Sequence, residues 1–388
     1  KAMMEVHPVD IFESGEGVYV FDLGQNMVGV TSMKMKGQPN QAITFRYAEM
    51  LDPSDSTIYT ENLRTADATN TFIFGDQKVV EWQPSFTFHG FRYVEVKGLH
   101  YRPSVDDLKG IVLYSEIPET GQMETSHGLL TKIYNNARWG QRGNFVNIPT
   151  DCPQRDERLG WMGDAQVFVK TAAYNMDVSA FFNKWLDDVK DAQGSNGAFP
   201  DVAPRIIAIN DGAPAWGDAG VIVPWKIYQM YGNKRLLEEY YEPMKAWVNY
   251  IMEENPDYLR KKRRNSDYGD WLNTNAVTDK ELLGTAFSAY STELLARTAA
   301  VLGNQEDHDH FMDLKQKIKD AFTREYLLEG DTLRGHTQTA YVLALRFNLL
   351  PENKREKALE MLVNDIRQRG NHHSTGFVGI GHLLPVLS

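Results

Sequence analysis

Cysteine is almost absent from this chain, since Cys152 is the single one in 388 residues. No disulfide can therefore form within the chain, and neither a reducing nor an oxidising compartment is excluded. A nucleophilic role for this thiol is disfavoured, because Pro153 and several carboxylates surround it in the sequence and a thiolate needs a positive environment. We expect Cys152 to be structural.

Long apolar runs and an excess of basic residues are also missing. No stretch reaches the roughly 18 to 20 apolar residues of a membrane span, so we expect no membrane segment. The net charge of −11 argues against a nucleic-acid partner, which needs a basic face. The one basic run, from Arg260 to Arg264, lies between two aspartates, and we interpret it as a solvent-exposed loop.

Nucleotide and metal motifs are lacking as well. The sequence has no glycine-rich phosphate loop, so no nucleotide cofactor is implied. His308 lies close to His310, and His372 is adjacent to His373, but neither pair has the i, i+4 spacing of helical zinc ligands. We therefore expect neither a metal ion nor a cofactor.

The overall composition is that of an ordinary globular protein, with 42% hydrophobic and 24% charged residues. The length allows two domains or one large domain. The chain begins at Lys1 rather than at a methionine and shows no secretion signal, which suggests that it derives from a longer precursor. The sequence does not indicate an oligomeric state.

The first third of the chain predicts β-strands. Short runs rich in β-branched and aromatic residues are separated by clusters of Gly, Pro, Asn and Asp, which is typical of an antiparallel β-sandwich. The runs cover residues 18–23, 43–48, 69–74, 93–97 and 110–114. We place this domain at residues 1–117.

Helical periodicity dominates the rest of the chain, at residues 118–388, which we take as a second domain. Apolar residues recur at helical spacing between polar loops. The predicted helices cover residues 128–140, 164–174, 178–191, 220–231, 235–254, 281–302, 305–326, 338–349 and 352–369. A long series of paired helices fits either an α-solenoid or an α/α toroid, and the lack of a fixed-period repeat weakens the solenoid.

Residues 151–164 form the most unusual stretch, Asp-Cys-Pro-Gln-Arg-Asp-Glu-Arg-Leu-Gly-Trp-Met-Gly-Asp. Carboxylates, arginines and a tryptophan crowd beside Pro and Gly, which suits neither a core nor an ordinary loop. Carboxylates accept hydrogen bonds from sugar hydroxyls, arginine donates to them, and tryptophan covers the apolar face of a sugar ring. The run therefore indicates a site that holds a polyhydroxylated ligand and transfers a proton.

The same run resembles the signature of the inverting α-L-rhamnosidases, glycoside hydrolase family 78. Further motifs resemble that family in the same order, at residues 86–95, 215–220, 269–272 and 383–387. The resemblance implies an (α/α)6 barrel, or six-hairpin toroid, that is incomplete at its C-terminal end because such a barrel needs twelve helices. It also implies hydrolysis of terminal α-L-rhamnosides, either small molecules or polysaccharides. We expect a periplasmic or secreted protein, with a cytoplasmic location as the alternative.

The resemblance also assigns roles to individual residues. Glu157 matches the general acid of the family, which protonates the departing glycosidic oxygen. The residues that match sugar-binding positions are Asp151, Arg155, Trp161, Asp164, Trp216 and Trp271. The residues alone leave a structural alternative for each: an ion pair with Arg155 or Arg158 for Glu157, a salt-bridge network for the other charged groups, and core packing for the tryptophans. Asp156 and Arg158 are predicted to be structural.

The general base is the part of this pattern that has no match. The base of the family is a glutamate downstream of the motif at residues 383–387. Asp211, Asp218, Asp270 and Glu281 are the candidates within the chain. Two other functions stay open: a glycan-binding protein on a degenerate glycosidase scaffold, and a glycosidase or lyase of another α/α-toroid type that acts on a different sugar.

Overall fold

A computed structural model describes residues 1–207 and 211–388. The chain folds into two compact units. The sheet unit comprises Lys1–Gly160 and Asn175–Asp177, and the helical unit comprises Trp161–Tyr174 and Val178–Ser388. Because these units reflect proximity in space rather than separate folding, they do not test the domain boundary predicted after residue 117, which stays a prediction.

The sheet unit contains ten strands among its described residues. They are β1 (Ala2–Val6), β2 (Asp10–Gly15), β3 (Val18–Lys36), β4 (Ala42–Ala48), β5 (Met50–Leu51), β6 (Ile58–Tyr59), β7 (Thr69–Ile73), β8 (Val79–Trp82), β9 (His89–Lys97) and β10 (Leu108–Leu113). Eight of them form one sheet in the order β1-β10-β3-β9-β4-β7, with β2 and β8 also paired to β3, and β5 pairs with β6. Each of the five predicted β segments lies on one of these strands, and two of them run one residue past its C-terminal end, but the predictions are shorter than β3 and β9.

The long strand β3 is the centre of the sheet. It has 19 residues and pairs antiparallel with β2, β8, β9 and β10. Alternate residues such as Tyr19, Phe21 and Leu23 point to one face, where they join Phe45 and Phe91 in a buried apolar core. The predicted antiparallel β domain is confirmed, and this alternation is the signal that made it predictable.

Ten α-helices follow among the described residues. They are α1 (Gly128–Asn144), α2 (Met162–Asn175), α3 (Ser179–Asp191), α4 (Ala219–Tyr231), α5 (Lys234–Glu253), α6 (Lys280–Leu302), α7 (Gln305–Tyr326), α8 (Gln338–Arg346), α9 (Glu352–Gln368) and α10 (Phe377–Leu387). Each of the nine predicted helices coincides with one of these to within a few residues, and α1 lies in the sheet unit. None of the helices in the described part of the chain is both long and apolar enough to cross a membrane.

Side-chain caps explain where the central helices begin. The Asp279 side chain accepts the backbone N–H of Leu282 at the start of α6, and Asn304 caps α7 in the same way. Gly303 ends α6 in the left-handed conformation, with φ of 82°. Helix α6 is buried along most of its length, which its small and apolar residues allow.

The basic run at residues 260–264 is not the solvent-exposed loop that was predicted. Lys261 and Lys262 are exposed, but Arg260 is completely buried. Its guanidinium donates to the Asp218 carboxylate at 3.2 Å and to the Gly212 carbonyl at 2.7 Å. The prediction was wrong because the partner of this charge lies 42 residues upstream in a different loop, where a local charge pattern cannot reveal it.

Candidate active site

The seven residues singled out in the sequence fall into two groups. Those in the sheet unit are Asp151, Arg155 and Glu157. Those in the helical unit are Trp161, Asp164, Trp216 and Trp271.

The loop that follows α1 carries the charged group of the sheet unit. Asp151 shapes this loop, because its carboxylate accepts the backbone N–H of Leu159 at 2.8 Å and its own N–H donates to the Leu159 carbonyl at 3.0 Å. Gly90 in β9 lets the loop approach the sheet, since a Cβ at this position would lie 2.7 Å from the Gln154 Cβ. The loop is therefore closed on itself and held against the strand.

Two arginines hold the Glu157 carboxylate. Its Oε2 atom lies 2.9 Å from a guanidinium nitrogen of Arg155 and 2.9 Å from one of Arg64. Arg64 also donates to Asp156 at 2.7 Å, and the Thr65 hydroxyl donates to the same Asp156 carboxylate. The ion pair with Arg155 that was left open as an alternative does form. Arg64 was missed because it lies 93 residues upstream of Glu157.

The two residues predicted to be structural in this loop have structural contacts. Asp156 is engaged by Arg64 and Thr65. The Arg158 guanidinium lies 4.5 Å from the centre of the Phe88 ring, and its residue has a left-handed backbone with φ of 55°. Burial lowers the pKa of Arg158. These contacts shape the loop around Glu157.

The Cys152 thiol lies beside the Asp151 carboxylate and is hydrogen-bonded to it. Burial, followed by the negative charge of Asp151, raises the pKa of Cys152 to about 12. Burial also raises the pKa of Asp151. A thiol that stays protonated is a poor nucleophile, which supports the structural role expected for Cys152.

Asp151, Cys152 and Glu157 are the one group of three potential metal ligands found among residues 1–207 and 211–388, with ligand atoms within 4.8 Å of one another. Metal binding requires a deprotonated thiol, whereas the pKa of this thiol is raised. Glu157 already faces two guanidinium groups. The donor set therefore suits a hydrogen-bonded acidic cluster better than a metal centre.

The aromatic group of the helical unit is centred on Tyr268. The Tyr268 ring centroid lies 5.7 Å from that of Trp161, 4.5 Å from that of Trp216 and 6.2 Å from that of Trp271. The structure thus brings the three predicted tryptophans together around one ring. Tyr268 was not predicted, although it directly precedes the motif at residues 269–272.

The three tryptophans differ in exposure. Trp216 is 4% exposed and packs on Phe377, and Gly163 makes room for it because a Cβ there would lie 2.5 Å from the indole. Trp161 is half-buried, and Trp271 is 51% exposed. Trp216 is therefore a core residue as well as a member of the aromatic cluster. Trp271, in contrast, is exposed enough to contact a ligand.

Asp218 fixes the loop that carries Trp216. Its carboxylate accepts the backbone N–H of Ala215 at 2.8 Å, and Ala215 has a left-handed backbone with φ of 68°. This carboxylate is completely buried. Its other donors are Trp247, Ser291 and Arg260. Its hydrogen-bonding capacity is therefore used to hold the loop in place.

Asp270 fixes the loop that carries Trp271, as Asp218 fixes that of Trp216. Its carboxylate accepts the Thr339 hydroxyl at 2.5 Å and the backbone N–H groups of Gly376 at 2.7 Å and Val378 at 3.2 Å. These N–H groups belong to the N-terminus of α10, so Asp270 caps this helix from another part of the chain. Burial raises the pKa of Asp270 despite these donors.

All four candidate bases have structural partners. Asp218 and Asp270 are buried and engaged by several donors each. Arg205 lies 2.8 Å from one carboxylate oxygen of Asp211, the third candidate. Arg264 lies 3.6 Å from Glu281, the fourth. A base that activates water needs a carboxylate oxygen that faces the water, and the structure identifies none among these four.

Asp164 lies on the first turn of α2, three residues after Trp161 in the motif. The residue is half-buried. A carboxylate at this position interacts favourably with the positive end of the helix dipole. A structural contribution therefore accompanies its predicted role in sugar binding.

Asp201 is a buried carboxyl group that the sequence did not single out. The Tyr268 hydroxyl donates to it at 2.7 Å, and its main-chain carbonyl accepts the N–H of Met162 at 2.9 Å, at the start of α2. Burial, with a smaller contribution from the charge of Asp211, raises the pKa of Asp201 to about 6. Asp201 thus links the central ring of the aromatic cluster to the segment that follows Trp161.

Asp201→Asn is expected to change how stability depends on pH. The pKa of Asp201 rises from 3.8 to about 6 on folding, so the folded protein holds an extra proton at this group between these values, and the contribution of Asp201 to stability falls as pH rises through this window. Asparagine still accepts from Tyr268 but carries no charge, so the Asp201→Asn variant should lack this loss, which is about 3 kcal/mol across the window. Urea denaturation of both proteins across this pH range measures the difference, and parallel profiles would contradict the prediction.

Comparisons with known proteins identify both parts of the chain. Residues 118–388 match the family model of the bacterial alpha-L-rhamnosidase 6 hairpin glycosidase domain. Residues 12–114 match the family model of the bacterial alpha-L-rhamnosidase concanavalin-like domain. The six-hairpin fold that the resemblance implied is therefore confirmed.

Individual relatives agree with the family models. An alpha-L-rhamnosidase of Streptomyces avermitilis is 45% identical over 378 residues, which cover 97% of this chain and 36% of that relative. One of Formosa agariphila is 42% identical and is matched over 95% of this chain and 40% of its own length. The crystal structure of the Streptomyces avermitilis alpha-L-rhamnosidase complexed with L-rhamnose has a TM-score of 0.96 and 44% identity, covering 100% of this chain and 37% of that one. The chain spans 36% to 40% of the length of these two curated relatives.

Proposed function

The chain belongs to the bacterial α-L-rhamnosidase family, glycoside hydrolase family 78, and we propose that it supplies the general acid and the sugar-binding side chains for inverting hydrolysis of terminal α-L-rhamnosides. One observation carries this proposal: Asp151, Arg155 and Glu157 converge in a single loop of the sheet unit. A protein that is 44% identical over all of this chain, which matches 37% of that protein, was crystallised with L-rhamnose. The substrate is a small rhamnoside or a polysaccharide that bears L-rhamnose.

In the proposed mechanism, Glu157 gives its proton to the departing glycosidic oxygen. Arg155 and Arg64 hold the carboxyl group in one position, as an acid that must reach a single oxygen requires. Asp151 accepts hydrogen bonds from ring hydroxyls, and the same role is proposed for Asp164.

The tryptophans serve the apolar part of the sugar. C6 of rhamnose is a methyl group, so a pocket for rhamnose is more apolar than a pocket for a hexose that has a hydroxyl group on C6. Trp161, Trp216 and Trp271 cover this face and shield the positive charge that develops on the ring from bulk water. Tyr268 adds apolar ring surface, because its hydroxyl is already donated to Asp201.

The water-activating base is the part of the mechanism that no residue named so far supplies. The resemblance places the base of the family downstream of the motif at residues 383–387, and the four candidate carboxylates within the chain are engaged elsewhere. Inversion requires a base on the opposite side of the sugar from Glu157. The proposal therefore assigns half of the catalytic pair to residues 1–388.

The proposal is tested by incubating the 388-residue protein with a panel of aryl glycosides that includes the α-L-rhamnoside. Aryl release from the rhamnoside alone supports the substrate class, and proton NMR should then show β-L-rhamnose as the first product. Release from a different glycoside would overturn the assignment. Initial formation of α-L-rhamnose would contradict inversion.

A second candidate function is glycan binding without turnover, and the structural roles of the buried candidate bases Asp218 and Asp270 favour it. It predicts that the 388-residue protein binds L-rhamnose but releases no aryl group. The two functions are separated by a longer form of the protein that continues past Ser388. Turnover by that form supports the hydrolase, and binding without turnover supports the second candidate.

A further inference from the structure

A cleft of about 390 Å³ opens within the sheet unit. It lies between residues 25–28 of β3, Glu49 just after β4, helix α1 and the loop that begins at Asp151. Its volume falls in the range of roughly 300–1,000 Å³ that is typical of small-molecule sites. Its lining includes Gln25, Asn26, Glu49, Asn136, Trp139 and Gly140.

The polar lining of the cleft is dominated by neutral amides. Five asparagine or glutamine side chains and two carboxylates line it, and its lining residues, all of them described, include no Lys, Arg or His. Amides offer both donors and acceptors, whereas Glu49 and Asp151 only accept when ionised. A ligand with many hydroxyl groups satisfies both kinds of partner. A phosphate or a uronate would meet two negative charges without a lining cation to pair with.

Glu49 is held in place before any ligand arrives. One of its oxygens accepts the Asn26 side-chain amide at 2.9 Å, and the other accepts the Asn62 amide at 3.2 Å. Each carboxylate oxygen has a second lone pair that can accept from a ligand hydroxyl. Such preorganisation reduces the entropic cost of binding.

One face of α1 forms a wall of the cleft. Asn136, Trp139, Gly140, Gly143 and Asn144 line it at the three- and four-residue spacing that brings side chains to a single helix face. Trp139 adds apolar surface, as a sugar ring requires. The Arg142 guanidinium over the Trp139 ring is paired with Glu119, so its charge is already matched.

Gly140 is the residue of this wall whose lack of a side chain affects the cleft directly. Glycine weakens a helix interior, so a mid-helix glycine usually has a packing reason. Gly143 has one, because a Cβ there would lie 2.9 Å from Val28. A Cβ at Gly140 would have no neighbour within 4 Å, so nothing in the protein fills the space in front of it. The missing side chain leaves the cleft open at this point.

We infer that this cleft binds a neutral saccharide unit and is a second carbohydrate subsite of the chain, carried by the sheet unit and sharing only Asp151 with the residues proposed to bind rhamnose. The inference does not depend on hydrolysis by Glu157. It also changes the role of the β domain, which would hold part of a glycan in addition to supporting the fold.

Gly140→Leu tests the inference, and Gly128→Leu on the same helix is its matched control. A Cβ at either position has no neighbour within 4 Å, but only Gly140 lines the cleft. Saturation-transfer NMR is measured with D-glucose and D-galactose as neutral probes and with D-glucuronate as the charged one. We expect binding of at least one neutral sugar, more than tenfold weaker in Gly140→Leu, unchanged in Gly128→Leu, and no binding of glucuronate.

Two further variants keep the outcome unambiguous. Asn136→Ala removes one exposed amide of the cleft without filling it and should weaken neutral-sugar binding severalfold. Trp271→Ala alters the aromatic cluster and should leave sugar binding in the cleft unchanged. If this variant loses rhamnoside hydrolysis, the loss concerns the proposed function and not the cleft. Equal neutral-sugar binding by Gly140→Leu and Gly128→Leu, or no neutral-sugar binding by the wild type, overturns the inference.

Discussion

Replacing Asp218 by alanine is expected to lower the free energy of unfolding by about 3–5 kcal/mol, because it leaves a buried arginine without its counter-charge. Both side chains of the Asp218–Arg260 pair are completely inaccessible to solvent. The substitution also removes the acceptor that holds the left-handed residue Ala215 in front of Trp216. Urea denaturation followed by tryptophan fluorescence measures the loss.

The control for this prediction is an exposed ion pair of the same unit. Lys184 and Asp188 are 2.6 Å apart on the surface of α3. Because solvent screens such pairs, Asp188→Ala should cost no more than about 0.5 kcal/mol. Similar losses for Asp218→Ala and Asp188→Ala would contradict the role assigned to the buried pair.

Glu157→Gln is expected to reduce the rate of rhamnoside hydrolysis by about 10²- to 10⁴-fold, which is the contribution usual for a general acid. Glutamine has the same size, and its carbonyl oxygen still accepts from Arg155 and Arg64, so the loop should keep its shape and L-rhamnose should still bind. The measurement is kcat/KM on aryl rhamnosides in a form of the protein that turns them over. The loss should be larger for poor leaving groups, since these depend most on protonation.

Asp156→Asn is the matched control for Glu157→Gln. Asp156 is the neighbouring carboxylate and shares the Arg64 guanidinium with Glu157. If Glu157 acts only as an ion-pair partner in the loop, the two variants should lose similar activity. If it is the acid, Asp156→Asn should lose less than about tenfold, without a dependence on the leaving group.

Regular structure was predictable wherever a local pattern carried it. Strand β3 begins with apolar residues at alternate positions, and α7 begins and ends where the sequence indicated. Helix α10 was missed because two glycines and Pro385 give it a weak helix propensity. Its stability comes from packing and from the cap that Asp270 supplies across 106 residues of chain, which no local window contains.

The site was predictable in its parts and not in its connections. The loop at residues 151–164 stood out because so many charges beside Pro and Gly fit no ordinary core or turn. Arg64 and Tyr268 escaped notice, because each becomes part of the site only through tertiary contacts. The burial of Arg260 was missed for the same reason. A sequence pattern indicates which interactions a side chain can form. Its actual partner depends on the tertiary fold, which brings distant residues together.

The long-range strand pairing of the sheet has a consequence for how the protein folds during synthesis. Glu5 in β1 pairs with Ile111 in β10, and β9 lies between β3 and β4 although it follows them by tens of residues. On the ribosome, β2 and β3 can pair with each other, but β1 and β4 emerge before their partners β10, β7 and β9, and the sheet can close only after β10 has left the exit tunnel. Such long-range pairing makes folding slow and exposes strand edges to neighbouring nascent chains. Until Leu113 is available, these edges stay open to pairing with other chains.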